Sequence, residues 1–188
     1  GKEKEYVGQC FDTNWISSAG EFIKKFEDGF SEYCGVRHGV ACSNGSTALH
    51  LAVESLGIGK GDEVIMPDFT IISCAKSILQ SGAKPVFIDV ESDTWNIDPK
   101  KIREKINSNT KAIMVVHLFG HPCEMDEIMQ IASEHNLKIV LKRTVQNIKE
   151  KKLVLLGMLL VLVFILIKLL QLVKGEWLLQ TATRLLKD

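Results

Sequence analysis

Short apolar runs alternate with amphipathic segments between residues 36 and 140, and this alternation constrains the fold more than any other feature. Runs rich in Val and Ile favour β-strands, whereas apolar residues at three- and four-residue spacing favour helices. A chain that alternates strand and helix in this way predicts an α/β domain with a largely parallel sheet and flanking helices. We predict strands at 36–42, 63–66, 84–90, 111–117 and 137–140, and helices at 17–34, 48–56, 69–81, 98–107 and 125–135.

Residues 141–188 differ in kind from the rest. They carry nine Lys or Arg against three Asp or Glu, whereas residues 1–140 carry 14 basic and 20 acidic residues. Leu153–Ile167 is unbroken apolar sequence, and further leucines follow up to Val173. Since about 20 apolar residues suffice to span a bilayer, hydropathy predicts an apolar helical tail with membrane contact through 153–173.

Composition narrows the function classes. The balance of 23 basic and 23 acidic residues argues against a nucleic-acid partner. The five cysteines are scattered and never form a CxxC pair, so neither a metal site nor a disulfide framework is predicted. Reduced thiols, together with an N-terminus that lacks an apolar signal region, predict a cytoplasmic location.

The turn from Ser43 to Thr47 is the strongest candidate for chemistry. It lies between a predicted strand and a predicted helix, where unpaired N–H groups and the positive end of the helix dipole attract an anion. Gly45 permits close approach, and the hydroxyl groups of Ser46 and Thr47 can add hydrogen bonds. An ordinary helix cap by Ser43 or Asn44 is the alternative, since the turn matches neither a Walker loop nor a GxGxxG fingerprint.

Two further segments carry polar groups that could serve a site. His117 follows a predicted buried strand, where the loops of parallel sheets build ligand sites, and both a structural and a catalytic role fit it. The segment from Asn14 to Ser18 is polar with one Trp, and by itself it predicts a surface loop. Residues Phe22, Phe26 and Phe30 share one side of the first predicted helix and are predicted to be core.

Four segments, in one order and at one spacing, carry a family resemblance. They are FDTNWISSAGEFIKKFE (11–27), HGVACSNGSTALHLAVESLGIGKGDEVIMPDFT (38–70), GAKPVFIDVESDTWNIDPKKI (82–102) and KAIMVVHLFGHPCEMDEI (111–128). Together they closely resemble the sugar-nucleotide aminotransferase family of DegT type, especially its GDP-perosamine synthase-like members. The resemblance covers residues 11–140. It implies an aspartate-aminotransferase-like fold that depends on pyridoxal 5'-phosphate (PLP), usually as a homodimer with sites shared between subunits.

The resemblance also implies which residues contact the cofactor. Gly45, Ser46 and Thr47 would hold the phosphate of PLP. Ile71 takes the position that covers the face of the cofactor ring, which is often aromatic in the family, so ring stacking is weakened here. His117 would lie beside the cofactor, as a catalytic residue.

The implied reaction has two halves. Glutamate would give its amino group to the cofactor, which would pass it to the 4-keto carbon of a nucleotide-linked 6-deoxy sugar. That substrate would lie near Asn14, Trp15 and Ser17. A lysine of the enzyme would attach the cofactor and move the proton.

After Val140 the chain departs from the family. Family sequences continue with stretches like EDCAEAHG and GDVACFSFYSNK, which supply an Asp for the pyridine nitrogen and lead into the cofactor lysine. Plausible codons for the second stretch, read with a shift of one nucleotide, spell residues 157–167 of this chain, and the same shift reproduces 143–152 and 170–180. We therefore expect residues 142–183 to be an out-of-frame translation, with RLLKD (184–188) back in frame.

A damaged enzyme is the expected consequence. Residues 1–140 would form a partial aminotransferase large domain, and residues 141–188 an aberrant apolar tail. Lys168 falls nearly at the place of the catalytic lysine, although its neighbours differ from the family, and Thr144 stands where the Asp belongs. We expect a truncated and inactive chain. The alternative is a single-pass membrane protein with a cytosolic sugar-nucleotide-binding domain.

Overall fold

The structure is a computed structural model that describes residues 2–17, 20–34, 36–144 and 158–163, with side chains up to residue 142. These residues fall into two compact units, one that extends up to Ser43 and one that begins at Asn44. The division at residue 140 between a family-like domain and a tail stays a prediction.

The first unit contains two helices, α1 (Glu3–Asp12) and α2 (Glu21–Cys34). The rings of Phe26 and Phe30 stack along α2 with their centroids 5.7 Å apart. The prediction that this aromatic stripe is core was wrong, because Phe26 keeps 39% of its surface exposed and Phe22 and Phe30 are half-buried. The helical spacing was right, but one face of α2 is only partly covered.

The predicted strand at 36–42 is also wrong, since these residues have irregular backbone. The N–H of Val36 donates to the carbonyl of Ser31 at 3.0 Å, and the N–H of Ala41 donates to the carboxylate of Glu27 at 2.9 Å. Backbone donors that a strand would direct to a neighbouring strand are therefore used by α2. An apolar run forms a strand only where such a neighbour is present.

The second unit is an α/β sandwich. Its strands are β1 (Glu63–Pro67), β2 (Lys84–Ile88), β3 (Thr110–His117), β4 (Lys138–Thr144) and β5 (Met158–Val163). Its helices are α3 (Gly45–Ser55), α4 (Ser73–Gln80), α5 (Pro99–Lys105) and α6 (Met125–Glu134). The strands form one sheet in the order β2-β1-β3-β4-β5, and every neighbouring pair is parallel. The predicted α/β domain with a parallel sheet is confirmed.

The central strand β3 shows why helices cover both faces of the sheet. Met114 and Val116 belong to the apolar cluster under α3 and α4, whereas Ile113 and Val115 belong to the cluster under α5 and α6. All four side chains are at most 3% exposed. Because successive residues of a strand point to opposite faces, a strand buried on both sides needs a continuous apolar run.

The predicted apolar helical tail is wrong over residues 158–163, which form β5. This strand pairs with β4 from Ile139 opposite Met158 to Thr144 opposite Val163. An open edge of β4 would present unpaired backbone groups, and an apolar segment that pairs there satisfies them. Among the described residues, no helix is long and apolar enough to cross a membrane. Lys168 and the rest of segment 153–173 lie outside the described residues.

Candidate functional site

Chain direction places the candidate residues of the second unit at one edge of its sheet. All strands of a parallel sheet end at the same edge, which we call the carboxyl edge, and α/β proteins bind ligands there. Helix α3 ends just before β1 begins, so its first turn at Gly45 lies toward the carboxyl edge. Ile71 follows β1, and His117 is the last residue of β3, so both belong to the same edge.

Asn44 caps helix α3, which answers the question of whether this turn is a helix cap. Its backbone is extended (φ −164°, ψ 170°), and its Oδ1 accepts hydrogen bonds from the N–H groups of Ser46 (2.9 Å) and Thr47 (3.0 Å). The hydroxyl of Thr47 donates to the Asn44 carbonyl at 2.8 Å and accepts from the Asn44 N–H at 3.3 Å. These reciprocal bonds form a capping box, so the cap interpretation of the turn is confirmed.

The same turn offers donors that suit a phosphate. Gly45 contributes the first N–H of the helix, and Ser46 is exposed, so its hydroxyl can reach a ligand. A phosphate that takes the N–H groups of Ser46 and Thr47 must displace the Asn44 carboxamide. Because both groups present acceptor oxygens, that exchange leaves every helix donor satisfied. The donor set therefore fits the phosphate of PLP, and its use for PLP stays a prediction.

The loop between β1 and α4 presents an apolar surface at the carboxyl edge. Ile71 is 54% exposed and Ile72 is 77% exposed. The ring of Phe69 in the same loop meets the ring of Trp95 edge-on, with centroids 5.0 Å apart. Ile71 is thus accessible to a planar ligand, as its predicted ring-covering role requires, although an aliphatic side chain cannot stack as an aromatic one does.

His117 is held in one orientation at the end of β3, where it is only 2% exposed. Its Nδ1 lies 3.2 Å from the backbone N–H of Cys123, which donates to it, so the ring carries its proton on Nε2. The Cys123 thiol donates to the carbonyl of Val116 at 3.3 Å. Burial raises the pKa of that thiol to about 12, so it stays protonated at neutral pH. The catalytic role of His117 stays a prediction.

The three residues predicted to face the substrate lie in the first unit, in the loop after α1. Asn14 has left-handed backbone (φ 56°), and its N–H donates to the carbonyl of Phe11 at 3.2 Å. Trp15 is 54% exposed, and Ser17 is exposed as well. The expected surface loop is confirmed, whereas the contact of Asn14, Trp15 and Ser17 with a substrate stays a prediction.

A cavity of about 580 Å³ lies at the opposite edge of the sheet, where α3, α5 and α6 end. Its acidic and basic lining residues are Asp62, Lys111, His135 and Lys138, and it includes none of the predicted site residues. The carbonyl ends of helices favour nearby cations, so the basic side chains have a structural explanation there. The carboxyl edge remains the better candidate for chemistry.

Sequence reasoning missed Asn96, a polar residue that shapes the carboxyl edge. Its side chain is 2% exposed and bonds to the loop after β3, more than 20 residues further along the chain. An Asn in a turn such as DTWNID has the usual properties of a turn residue. No local signal in the sequence shows that its carboxamide is buried, because its partners are distant backbone groups.

Comparison with known proteins places the chain among aminotransferases. A sequence profile of the DegT/DnrJ/EryC1/StrS aminotransferase family matches residues 1–142. The GDP-perosamine synthase of Caulobacter vibrioides is 51% identical over 140 residues, which are 74% of this chain and 38% of that synthase. The chain thus spans well under half the length of the first curated relatives that it matches.

Solved structures support the same fold. An aminotransferase from Psychrobacter cryohalolentis superposes with a TM-score of 0.71 at 38% identity, covering 74% of this chain and 36% of that one. NtdA from Bacillus subtilis, solved with bound cofactor PMP, superposes with a TM-score of 0.69 at 33% identity, covering 73% and 32%. The profile match ends at residue 142, within β4 and before β5.

Proposed function

Because the chain belongs to the DegT/DnrJ/EryC1/StrS aminotransferase family, we propose that it derives from an enzyme that aminates a nucleotide-linked 4-keto-6-deoxy sugar. The enzymes of this family depend on PLP. The sugar class is supported by relatives named GDP-perosamine synthase and dTDP-3-amino-3,6-dideoxy-alpha-D-galactopyranose transaminase. A relative named for spore coat polysaccharide biosynthesis supports a use of the product in polysaccharides.

The observation that carries the proposal is the turn from Asn44 to Thr47. It combines the first N–H groups of a helix, two hydroxyl side chains and a glycine, at the edge of a parallel sheet where α/β proteins bind ligands. The turn lies inside the stretch that the family profile matches. A phosphate is the ligand that this donor set suits best.

Each residue at the carboxyl edge has a part in this proposal. PLP, when bound, supplies an electron sink for bonds to the amino-bearing carbon. Gly45, Ser46 and Thr47 hold the phosphate and so set where the ring lies. Ile71 covers one face of the ring and excludes water from it. His117 keeps its proton on Nε2, as the bond from Cys123 to Nδ1 requires, and can act there only as a donor.

The substrate side of the proposal draws on the first unit. Asn14, Trp15 and Ser17 offer a carboxamide, an indole and a hydroxyl in one exposed loop, a set that can bind the hydroxyls and the planar base of a nucleotide-linked sugar. Glutamate is the proposed amino donor. The intact enzyme is proposed to be a cytoplasmic homodimer.

We also propose that this chain does not complete the reaction. The residues after 142 do not supply the Asp that would pair with the pyridine nitrogen, and Thr144 stands in its place. Lys168 falls near the position of the catalytic lysine, but apolar residues surround it in the sequence. A one-nucleotide shift of reading frame over residues 142–183 accounts for both changes, and the end of the family match at 142 supports it.

Binding of PLP to the full chain tests the phosphate turn. Ser46→Ala removes one hydroxyl donor. It should lower the affinity for both PLP and inorganic phosphate by roughly tenfold, as measured by equilibrium dialysis. Ser108→Ala at the opposite edge of the sheet is the matched control and should change neither affinity. A wild-type chain that binds neither probe, or equal effects of the two variants, would show that the turn is not a phosphate site.

Covalent attachment of the cofactor tests whether Lys168 works. We expect no absorbance band at roughly 410–430 nm on mixing the chain with PLP, and no mass increase after borohydride reduction. The contrary result is a band that disappears in Lys168→Ala and persists in the matched variant Lys174→Ala. It would show a competent lysine and contradict the proposed inactivity.

Resequencing of the gene tests the shift of frame. The proposal expects that one neighbouring frame over codons 142–183 encodes an Asp and a lysine in the family's surroundings. If no frame encodes such a stretch, the frame-shift explanation fails while the family assignment stands. A chain translated in the restored frame should bind PLP covalently where this chain does not.

A further inference from the structure

The turn after β2, residues 90–97, is held together by hydrogen bonds between its own backbone groups. Val90 and Ile97 form an antiparallel bridge, inside which the N–H of Trp95 donates to the carbonyl of Glu91 at 3.0 Å. The N–H of Glu91 donates in turn to the carbonyl of Asn96 at 2.9 Å. Trp95 takes a left-handed backbone (φ 59°), which is costly for a bulky residue. This closed turn leaves the Asn96 side chain buried, with 2% of its surface exposed.

The Asn96 carboxamide holds the loop that follows β3 from both sides. Its Oδ1 accepts the N–H of Leu118 at 3.2 Å. Its Nδ2 donates to the carbonyls of Pro122 at 3.0 Å and His121 at 3.2 Å, and lies 3.3 Å from the His121 ring. A buried amide whose donors and acceptor are all engaged rigidifies its surroundings, because each lost bond leaves a desolvated polar group.

The loop held in this way, residues 117–123, is strained at its tip. Phe119 has a left-handed backbone (φ 48°) and is 86% exposed, and Gly120 after it has φ 84°. The base of the loop is closed by the bond from the Cys123 N–H to Nδ1 of His117. An exposed aromatic residue with unfavourable backbone persists only where the surrounding structure over-determines it. The hydrogen bonds from the Asn96 side chain to the loop backbone hold it in this conformation.

We propose that Asn96 is a positioning residue, which holds loop 117–123 so that His117 and the ring of Phe119 border the ring side of the cofactor site. The inference rests on the proposed function, and it adds a residue that acts without touching the ligand. Asn96 reaches the site only through backbone groups of the loop. The proposed phosphate site, the turn from Asn44 to Thr47, belongs to a different segment. Loss of the Asn96 side chain should therefore weaken binding of the ring and leave binding of the phosphate unchanged.

The experiment compares two probes, PLP and inorganic phosphate, on the full chain. Asn96→Ala should lower the affinity for PLP by roughly tenfold and leave the affinity for inorganic phosphate unchanged. Asn107→Ala is the matched control, since Asn107 also bonds through its side chain but lies at the opposite edge, and it should change neither affinity. Hydrogen exchange of the Leu118 amide should accelerate by roughly tenfold in Asn96→Ala, while the amides of β3 stay protected.

A second variant keeps the test independent of folding. Asn96→Asp retains an acceptor for the Leu118 N–H but removes both donors, so it should protect the Leu118 amide and still weaken PLP. Unchanged PLP affinity in Asn96→Ala, with a folded β3 and a faster Leu118 amide, would overturn the positioning role and leave the proposed function standing. A wild-type chain that binds neither probe removes the proposed function, and the positioning role falls with it.

Discussion

Strands β4 and β5 are neighbours in one sheet, yet they come from two different kinds of sequence. The family match ends within β4, and β5 lies beyond the matched residues. The two strands nevertheless pair in parallel from Ile139 and Met158 to Thr144 and Val163. Pairing uses backbone groups that nearly every residue carries, so an apolar segment rich in Val and Leu suffices for it. A cofactor site needs individual side chains at fixed places, and that requirement is not met by composition alone.

The largest expected effect on stability concerns β4, the strand in which the family match ends. Leu141 on β4 is fully buried, so Leu141→Ala should lower the free energy of unfolding by about 2–5 kcal/mol. Lys142→Ala, at the next and half-buried position of β4, is the control and should cost less. Urea unfolding followed by circular dichroism measures both. If Leu141→Ala costs no more than Lys142→Ala, the packing of β4 contributes little to the stability of the fold.

The next effect lies within the family-matched residues and distinguishes capping of α3 by Asn44 from binding of phosphate at the same turn. Asn44→Ala removes the cap of α3 and should lower the free energy of unfolding by about 1 kcal/mol. Asn44→Asp keeps a capping oxygen, and so should keep the stability, but its charge should repel inorganic phosphate. Urea unfolding and equilibrium dialysis measure the two results. Equal stability of Asn44→Ala and wild type would contradict the role of the capping box.

A smaller effect concerns the carboxyl edge within the family-matched residues, where the reactivity of the Cys123 thiol reports how tightly the loop after β3 is packed. With a pKa of about 12, the Cys123 thiol is ionised to only about one part in ten thousand at pH 8. Cys123 should therefore react with iodoacetamide far more slowly than the half-buried Cys10, as mass spectrometry of the peptides can measure. In urea the two thiols should react at similar rates. Rapid native labelling of Cys123 would mean that loop 117–123 opens readily.

The smallest effect lies on the side of the sheet away from β5, where an ion pair supports β1 and β2. The carboxylate of Glu63 accepts from Asn107 Nδ2 at 2.7 Å and from Lys84 Nζ at 2.9 Å, and these bonds lower its pKa. A carboxyl group with a lowered pKa stabilises the fold above its unfolded pKa, and this stability is lost as the pH falls through the folded pKa. Glu63→Gln should therefore reduce the loss of stability on acidification, as urea midpoints across the acidic range will show. An acid dependence identical to that of the wild type would exclude this contribution.

Most of the second unit could be predicted from local pattern. The continuous apolar run of β3 indicates a strand buried on both faces, and Asp98 and Pro99 mark the start of α5 as a cap and a first-turn proline do. The Ser43–Thr47 turn could be predicted as a candidate site because it combines a glycine, hydroxyls and a helix start. These features are local, so a single sequence reveals them.

Features that depend on distant partners could not be predicted in this way. The apolar run at 36–42 resembles a strand, but its donors bond to Ser31 and Glu27 instead. Residues 158–163 have the hydropathy of a membrane helix, but they pair with β4. Periodicity cannot distinguish a buried strand from a buried helix in a purely apolar run.

The sequence by itself determined the family, the parallel α/β sheet and the turn that caps α3, because each depends on residues that are close along the chain or on motifs in a fixed order. Only the tertiary structure decided that the donors of residues 36–41 bond to α2, that β5 pairs with β4, and that Asn96 holds the loop after β3. Hydrogen bonds between residues far apart in the chain decide these points. Their partners are largely backbone groups, which have no signature in the sequence.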